Sequence, residues 1–329
     1  MRIILSFLIA STLVLVSCGS TTAKKTHSTK EVPATVVVPI FDGDSAYNFV
    51  DKQVAFGPRV PNSESHRKCG DWLEETLRGY GADVLSQQFE VIAYNGDKLQ
   101  ARNIIAQFQP EKKKRILLCA HWDTRPWADS DPDPSNHYKA IDGANDGGSG
   151  VGVLLEVARH LSYASTELGI DIVLFDVEDY GVHDKETSAV ENSWALGSQY
   201  WARMPHKNNY NARFGILLDI VGAPDSKFHV EGISKQYAQN VVNKVWKQAE
   251  KLGYGNIFID EDGGYITDDH LYVNSFLGLP CIDIINYDPE SPNGFGPHHH
   301  TMKDNMEWIS SETLKAVGQT VLSVIYNEK

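Results

Sequence analysis

Residues 170–179 read Ile170-Asp-Ile-Val-Leu-Phe-Asp-Val-Glu178-Asp179, and they decide the fold. The run up to Val177 is rich in β-branched and aromatic residues, the composition of a buried strand. It ends in two adjacent acids followed by Tyr180-Gly181. In an α/β sheet the carboxyl ends of strands are where ligands and chemistry collect. Neighbouring side chains diverge there, so one acid can bind a metal while the other moves a proton. An isolated acid pair is more often a solvated loop. Here four other stretches each deliver a carboxylate or a histidine just after an apolar strand, and that company changes the reading.

Outward from this strand the pattern alternates. Residues 150–163 have Val151, Leu154, Val157, Ala158 and Leu161 at helical spacing, and residues 234–252 and 310–326 repeat that amphipathic signature. Helices are also expected at 63–82 and 193–204, and strands at 213–221, 228–231 and 279–285. Upstream, strands at 84–94, 102–108 and 115–120 are separated by short turns containing Asn95-Gly96 and Gln109-Pro110, which suggests an antiparallel meander. No internal repeat and no linker follow Val36. The expectation is a single α/β domain with a twisted mixed central sheet flanked by helices.

The chain has 329 residues, 42% of them hydrophobic, enough to bury a full core. Its net charge of −13 argues against nucleic acid, which needs clustered Lys and Arg. It mildly favours cationic ligands such as a free amino terminus. At the start, Arg2 precedes an apolar run to Val16 and then Ser17-Cys18. That run is too short to span a bilayer. It resembles a bacterial lipoprotein signal, which implies cleavage before Cys18 and lipid on its thiol. The expected organisation is a signal at 1–17, a lipidated polar tether at 18–43 and a catalytic domain at 44–329. The resemblance implies an exported protein on the periplasmic side or at the outer membrane, meeting the membrane only through its anchor. Gly19 is not the inner-membrane retention Asp. The remaining Cys69, Cys119 and Cys281 form no Cys-x-x-Cys pair, and their odd number prevents complete internal pairing.

Five stretches carry the candidate chemistry. His121-Trp-Asp123 follows a strand, and its spacing lets Asp123 orient an imidazole. The loop Gly143-Ala-Asn-Asp146-Gly-Gly-Ser-Gly150 lacks the Lys-Ser/Thr of a phosphate loop and more plausibly offers Asp146 to a cation. Asp219 sits inside the apolar run Leu217 to Val221, where an ionised carboxylate is costly unless paired. Thr267-Asp268-Asp269-His270 is a further acid cluster. His298-His299-His300 cannot all face one ion. Carboxylates and a histidine suit zinc with one position left open, although the same donors serve other divalent cations.

These motifs resemble the zinc-dependent glutaminyl-peptide cyclotransferases of the animal type, which share the α/β/α fold of the zinc aminopeptidases. The resemblance runs from about residue 45 to the C-terminus. It rests on His300-Thr-Met-Lys-Asp-Asn305, Leu217-Leu-Asp-Ile-Val-Gly-Ala223 and Asp268-Asp-His270. It implies one zinc ion held by Asp146, Asp179 and His300, and Glu178 as the general acid/base. Asp219 and Asp268 would share a proton beside it. It places Phe295, with Trp194, His299 and Asp283 at positions that depart from the family pattern, in the substrate pocket. The implied reaction cyclises an N-terminal Gln of a peptide to pyroglutamate and releases ammonia, with no obligate protein partner evident.

The rival is a two-zinc aminopeptidase, in which Asp146 bridges two ions, Asp179 and His300 hold one, and His121 and Asp219 hold the other. A non-catalytic peptide-binding lipoprotein would leave the acid pair without a task.

Overall fold

The structure is a computed structural model describing residues 37–186, 190–289, 291 and 294–329. The leader, Cys18 and the tether up to residue 36 lie outside the described residues. The described residues form a single compact unit. Its central sheet has six strands in the order β1-β2-β4-β3-β5-β8. Strands β1 (Asp83–Ile92) and β2 (Lys98–Phe108) form an antiparallel hairpin, and β2 also pairs antiparallel with β4 (Gly169–Phe175). From there the sheet is parallel: β4 beside β3 (Arg115–His121), then β5 (Gly215–Asp219), then β8 (Cys281–Ile285). Strands β6 (Phe228–Val230) and β7 (Phe258–Asp262) make a separate parallel pair.

The expected meander of the first three strands is therefore not formed. β4 lies between β2 and β3. Burial explains the order. Every residue of β3 and β4 is buried, whereas β1 alternates towards solvent, so the two wholly buried, mostly apolar strands take the middle, with Arg115 and Asp171 paired to each other, and the hairpin takes the edge.

Alternate side chains along each strand divide between two cores. Ile104, Leu118, Ile172 and Leu218 join one that packs α1 (Gly43–Val54), α2 (Glu64–Gly79), α3 (Gly148–Leu161), α5 (Gly232–Lys251) and α7 (Ser311–Asn327). Ile105, Cys119, Val173 and Leu217 face the other, with Trp201 of α4 (Leu196–Arg203) and Val273 of α6 (Asp269–Leu277). Helices thus cover both faces of the sheet. Phe41, within the stretch read as tether, is buried against Gly318 of α7, so packing begins slightly before residue 44. Among the described residues no helix is long and apolar enough to cross a membrane.

From β3 the chain runs through α3 to β4 on one side, and later reaches β5 on the other. The carboxyl ends of β3, β4 and β5 therefore flank a point where the strand order reverses, which is where α/β sheets open a crevice for ligands.

Candidate active site and metal centre

Two of the loops at these strand ends are held by a buried carboxylate, and the one leaving β5 by Ser149 and Asn145. Asp123, just past β3, accepts the backbone N–H of Glu178 at 3.0 Å and that of Asp179 at 3.2 Å. Asp304 does the same for the loop before α3, accepting Asn145 N–H at 2.7 Å and Asp146 N–H at 3.1 Å. Next to Asp146, Gly147 takes φ 79°, and a Cβ there would lie 2.7 Å from the Asp123 carbonyl and 2.9 Å from the His121 ring. Only glycine fits that approach. Three other residues at the site adopt left-handed backbone without being glycine: Val177 (φ 56°), Ile220 (φ 49°) and His300 (φ 53°). For β-branched Val177 and Ile220 this costs on the order of 1–3 kcal/mol each. The strain sits immediately beside Glu178 and Asp219.

The three expected metal ligands converge. His300 Nε2 lies 3.4 Å from Asp146 Oδ2 and 3.3 Å from Asp179 Oδ1. Asp146 Oδ2 and both Asp179 oxygens are buried without a hydrogen bond, an arrangement that is costly unless a positive charge sits between them. Burial, together with Asp146, raises Asp179 to about 6. Burial also opposes the Asp146 charge, yet contacts with His121 and His300 hold its carboxyl well below the usual range. Against burial and Arg125, the carboxylates of Asp179 and Asp146 raise His300 to about 9. The site thus draws positive charge to one point, and its donor set of two carboxylates and an imidazole suits a divalent cation.

Two further donor groups overlap it. His299 Nε2 is 3.8 Å from Asp146 Oδ2, and atoms of Asp146, His299 and His300 lie within 4.8 Å of one another. His121, Asp146 and Asp219 form a second such group, with His121 Nε2 at 3.1 Å from an oxygen of each acid. His298 turns away and meets Asn145 Nδ2 at 2.8 Å.

Beside the carboxylates opens a cavity of about 450 Å³. Glu178, Asp219 and Asp268 form its polar end, and Trp194, Phe295 and Tyr287 are among its walls. Burial, then the neighbouring charges of Asp268 and Asp179, pushes Glu178 well above the ordinary carboxylate range, against the pull of His121. Burial likewise raises Asp219 to about 7 despite its hydrogen bond with His121. Trp194 and His299 both line the cavity. Trp194 lies parallel to the His300 ring at 6.0 Å, and His299 stacks on Phe295 at 4.5 Å.

One expectation needs correction. Asp283 does not line the cavity. It is wholly buried in β8, behind Asp268 and His270, because α5 and α6 cover that end of the sheet and its side chain points under the floor. Asp219 and Asp268, expected to act together, both line the cavity, and the charge of Asp268 adds to the rise of Asp219; Asp268 also has Asp283 as a neighbour on its buried side.

Sequence reasoning missed Arg125 and Asp129, although Arg125 stands close to His121 in the chain. Their fork is buried, with Arg125 Nε donating to Asp129 Oδ1 at 2.8 Å. Arg125 also reaches 3.6 Å from Asp179 Oδ1 and lies 4.6 Å over the Trp194 ring. Asp304 was missed as a loop clasp, because nothing in its spacing from Asp146 betrays the contact.

With this geometry in view, three comparisons place the chain. A solved glutaminyl cyclase from Bacteroides thetaiotaomicron, bound to N-acetylhistamine, is 56% identical, with a TM-score of 0.87 over 89% of this chain and 100% of that one. A Zn-dependent exopeptidase structure from Parabacteroides distasonis is 55% identical, with a TM-score of 0.88 over 89% and 100%. The Bacillus subtilis aminopeptidase YwaD is 27% identical over 234 residues, 69% of this chain and 44% of that protein. The chain thus spans about half the length of the first curated relatives it matches. The family signature covers residues 103–325, from β2 through α7 and across every loop that brings a carboxylate or histidine to the site, and the chain belongs to peptidase family M28.

Proposed function

We propose that this chain is a zinc-dependent glutaminyl-peptide cyclotransferase that converts an N-terminal Gln to pyroglutamate with release of ammonia. The observation that carries the reading is the division of labour within Glu178-Asp179: Asp179 faces His300 and Asp146, while Glu178 faces the cavity and holds a proton readily. The resemblance of the His300–Asn305 motif to the cyclase pattern, and the likeness to solved cyclases, support it. One zinc ion on Asp146, Asp179 and His300 is the expected complement, and when bound it supplies Lewis-acid polarisation of the side-chain amide carbonyl.

The chain's own residues do the rest. Trp194 and Phe295 hold the substrate end curled so that its α-amine faces its own side-chain amide, which supplies the entropic part of the acceleration. As the C–N bond of the ring forms, Glu178 accepts a proton from the α-amine. It then donates that proton to the departing nitrogen, which leaves as ammonia. Asp219 and Asp268 border the same end of the cavity and offer acceptors to the substrate N–H groups. The aromatic walls exclude water, whose attack would turn cyclisation into hydrolysis.

The grouping of His121 with Asp146 and Asp219 favours a second reading, a two-zinc aminopeptidase. Mass spectrometry of a Gln-initiated peptide, incubated with zinc-loaded protein lacking residues 1–18, separates the two. Loss of ammonia with the chain intact means cyclase. Release of an amino acid with gain of water means aminopeptidase. Export and lipidation at Cys18 belong to the proposal as well: labelled fatty acid should enter the wild type and not Cys18→Ser.

A further inference from the structure

The cavity has room for more than the reacting end of a substrate. Its volume of about 450 Å³ lies in the range, roughly 300–1,000 Å³, of sites that take a drug-sized ligand, and one small lactam ring leaves much of it open. Glu178, Asp219 and Asp268 are buried at its polar end. Four other lining residues are exposed and mark its mouth: Ser130, Asp184, Tyr265 and Thr267. With the Gln α-amine and side chain turned to the buried end, the residue that follows Gln leaves through this mouth. Asp184 is the charged group among the four.

The Asp184 carboxylate is held in place without a basic partner. Its backbone N–H donates to Asp129 Oδ2 at 2.9 Å, and Ser130 Oγ donates to its Oδ2 at 3.2 Å. His183 before it is buried, with Trp127 at 5.7 Å and Tyr138 stacked on it at 5.0 Å. Among the described residues no Lys, Arg or His side chain comes within ion-pair distance of Asp184. Arg125 feels its charge, but that guanidinium is already forked onto Asp129 and stands 3.6 Å from Asp179. The whole chain carries −13, so a cation is drawn towards this mouth and an anion repelled from it. Tyr265, 75% exposed, lays its ring over Gly232, where a Cβ would lie 2.9 Å from it. Its open face gives the methylenes of a long basic side chain an apolar surface to pack on.

We propose that the mouth selects a basic residue, Lys or Arg, directly after the N-terminal Gln, with Asp184 as the specificity-determining group. The inference rests on the cyclase reading for its reaction and on the mouth for its preference. Amidated peptides that begin Gln-Lys, Gln-Ala and Gln-Glu and are otherwise alike test it, with zinc-loaded protein and ammonia release as the readout. At low ionic strength kcat/KM falls in the order Lys, Ala, Glu. The span is about fivefold and carried by KM, which is what an exposed charge pair amounts to. It shrinks in about 0.5 M salt, where charges at such a site are screened. Asp184→Asn brings the three peptides together, and Asp184→Lys inverts their order. Each figure is a ratio between peptides on one enzyme, so a general loss of turnover in a variant cancels.

The proposal is overturned if the wild type takes the Lys and Glu peptides equally well, or if Asp184→Asn keeps the wild-type ratio. A ratio indifferent to salt also overturns it, since shape rather than charge would then make the choice. Should a variant fail to fold, the wild-type ratio and its salt dependence still decide. The cyclase reading fails separately. If the peptides lose Gln with gain of water, that reading ends, and the Lys-to-Glu ratio of hydrolysis decides the charge preference of the same mouth. A wild type that turns over none of the peptides ends both.

Discussion

The Asp123 carboxylate holds Glu178 by its backbone, accepting its N–H at 3.0 Å, while the second oxygen takes the N–H of Asp179. It also lies 3.5 Å from His121 Nδ1. One wholly buried side chain thus sets the aim of both members of the acid pair. Asp123→Ala should leave two buried N–H groups unpaired, at about 1–3 kcal/mol each. It should weaken zinc binding roughly 10- to 100-fold, as loss of orienting partners does in metal sites. Zinc titration against a competing chelator measures this. Unchanged affinity would mean that the strained Val177 backbone holds its shape without Asp123.

Glu178→Gln removes the proton carrier and keeps the volume. Turnover should fall by about 10²- to 10⁴-fold, the usual contribution of a general acid/base. Bound zinc should stay near the wild-type level, because Glu178 is not among the converging ligands. Ammonia release paired with metal analysis checks both. Near-normal turnover would show that another group carries the proton.

Much of this was legible from residues alone because it depends on period and burial. The run of β4 announced a central strand, and the acids at strand ends announced a site. Asp283 was misplaced because a sequence position on a strand does not say which face of the floor its side chain meets. The meander failed for a related reason: adjacency in sequence predicted pairing, and the demand of two fully buried, mostly apolar strands for interior places overrode it. Asp304 acts through a contact across 158 residues of chain, where no spacing rule connects it to Asp146, and Asp129 lies four residues from Arg125 but outside any helix, where that spacing announces nothing. The Asp268–Asp283 contact likewise depends on where β8 docks beside α6.

Trp194 lies between the Arg125 guanidinium, 4.6 Å away, and the parallel His300 ring, 6.0 Å away, and it forms one wall of the cavity. Trp194→Ala should raise KM for Gln-initiated peptides about tenfold, with a smaller change in kcat, since the wall binds substrate more than it moves protons. Trp194→Phe should recover part of the loss. Gly181→Ala offers a test without touching Trp194, because a Cβ there would lie 2.0 Å from the indole and must displace it. A KM unaffected by either change would remove Trp194 from the binding surface.

Acid stability should register Glu231. Burial works against its charge, but His270 and the N–H groups of Ile233 and Ser234 lower its carboxyl from an ordinary 4.5 to about 2. A group whose pKa is depressed on folding contributes stability that is fully present above the unfolded value. That stability is lost as pH falls through the folded one. The window here runs from about pH 4.5 down to about pH 2, and the contribution above it is on the order of 2–3 kcal/mol. Glu231→Gln should therefore melt below the wild type at pH 7, and the gap should narrow steadily once pH drops under about 4.5. Thermal unfolding of both proteins from pH 7 to pH 3 measures this. A gap that stays constant would mean that Glu231 acts through packing and its cap geometry alone, and that its charge contributes nothing to holding α5 against His270.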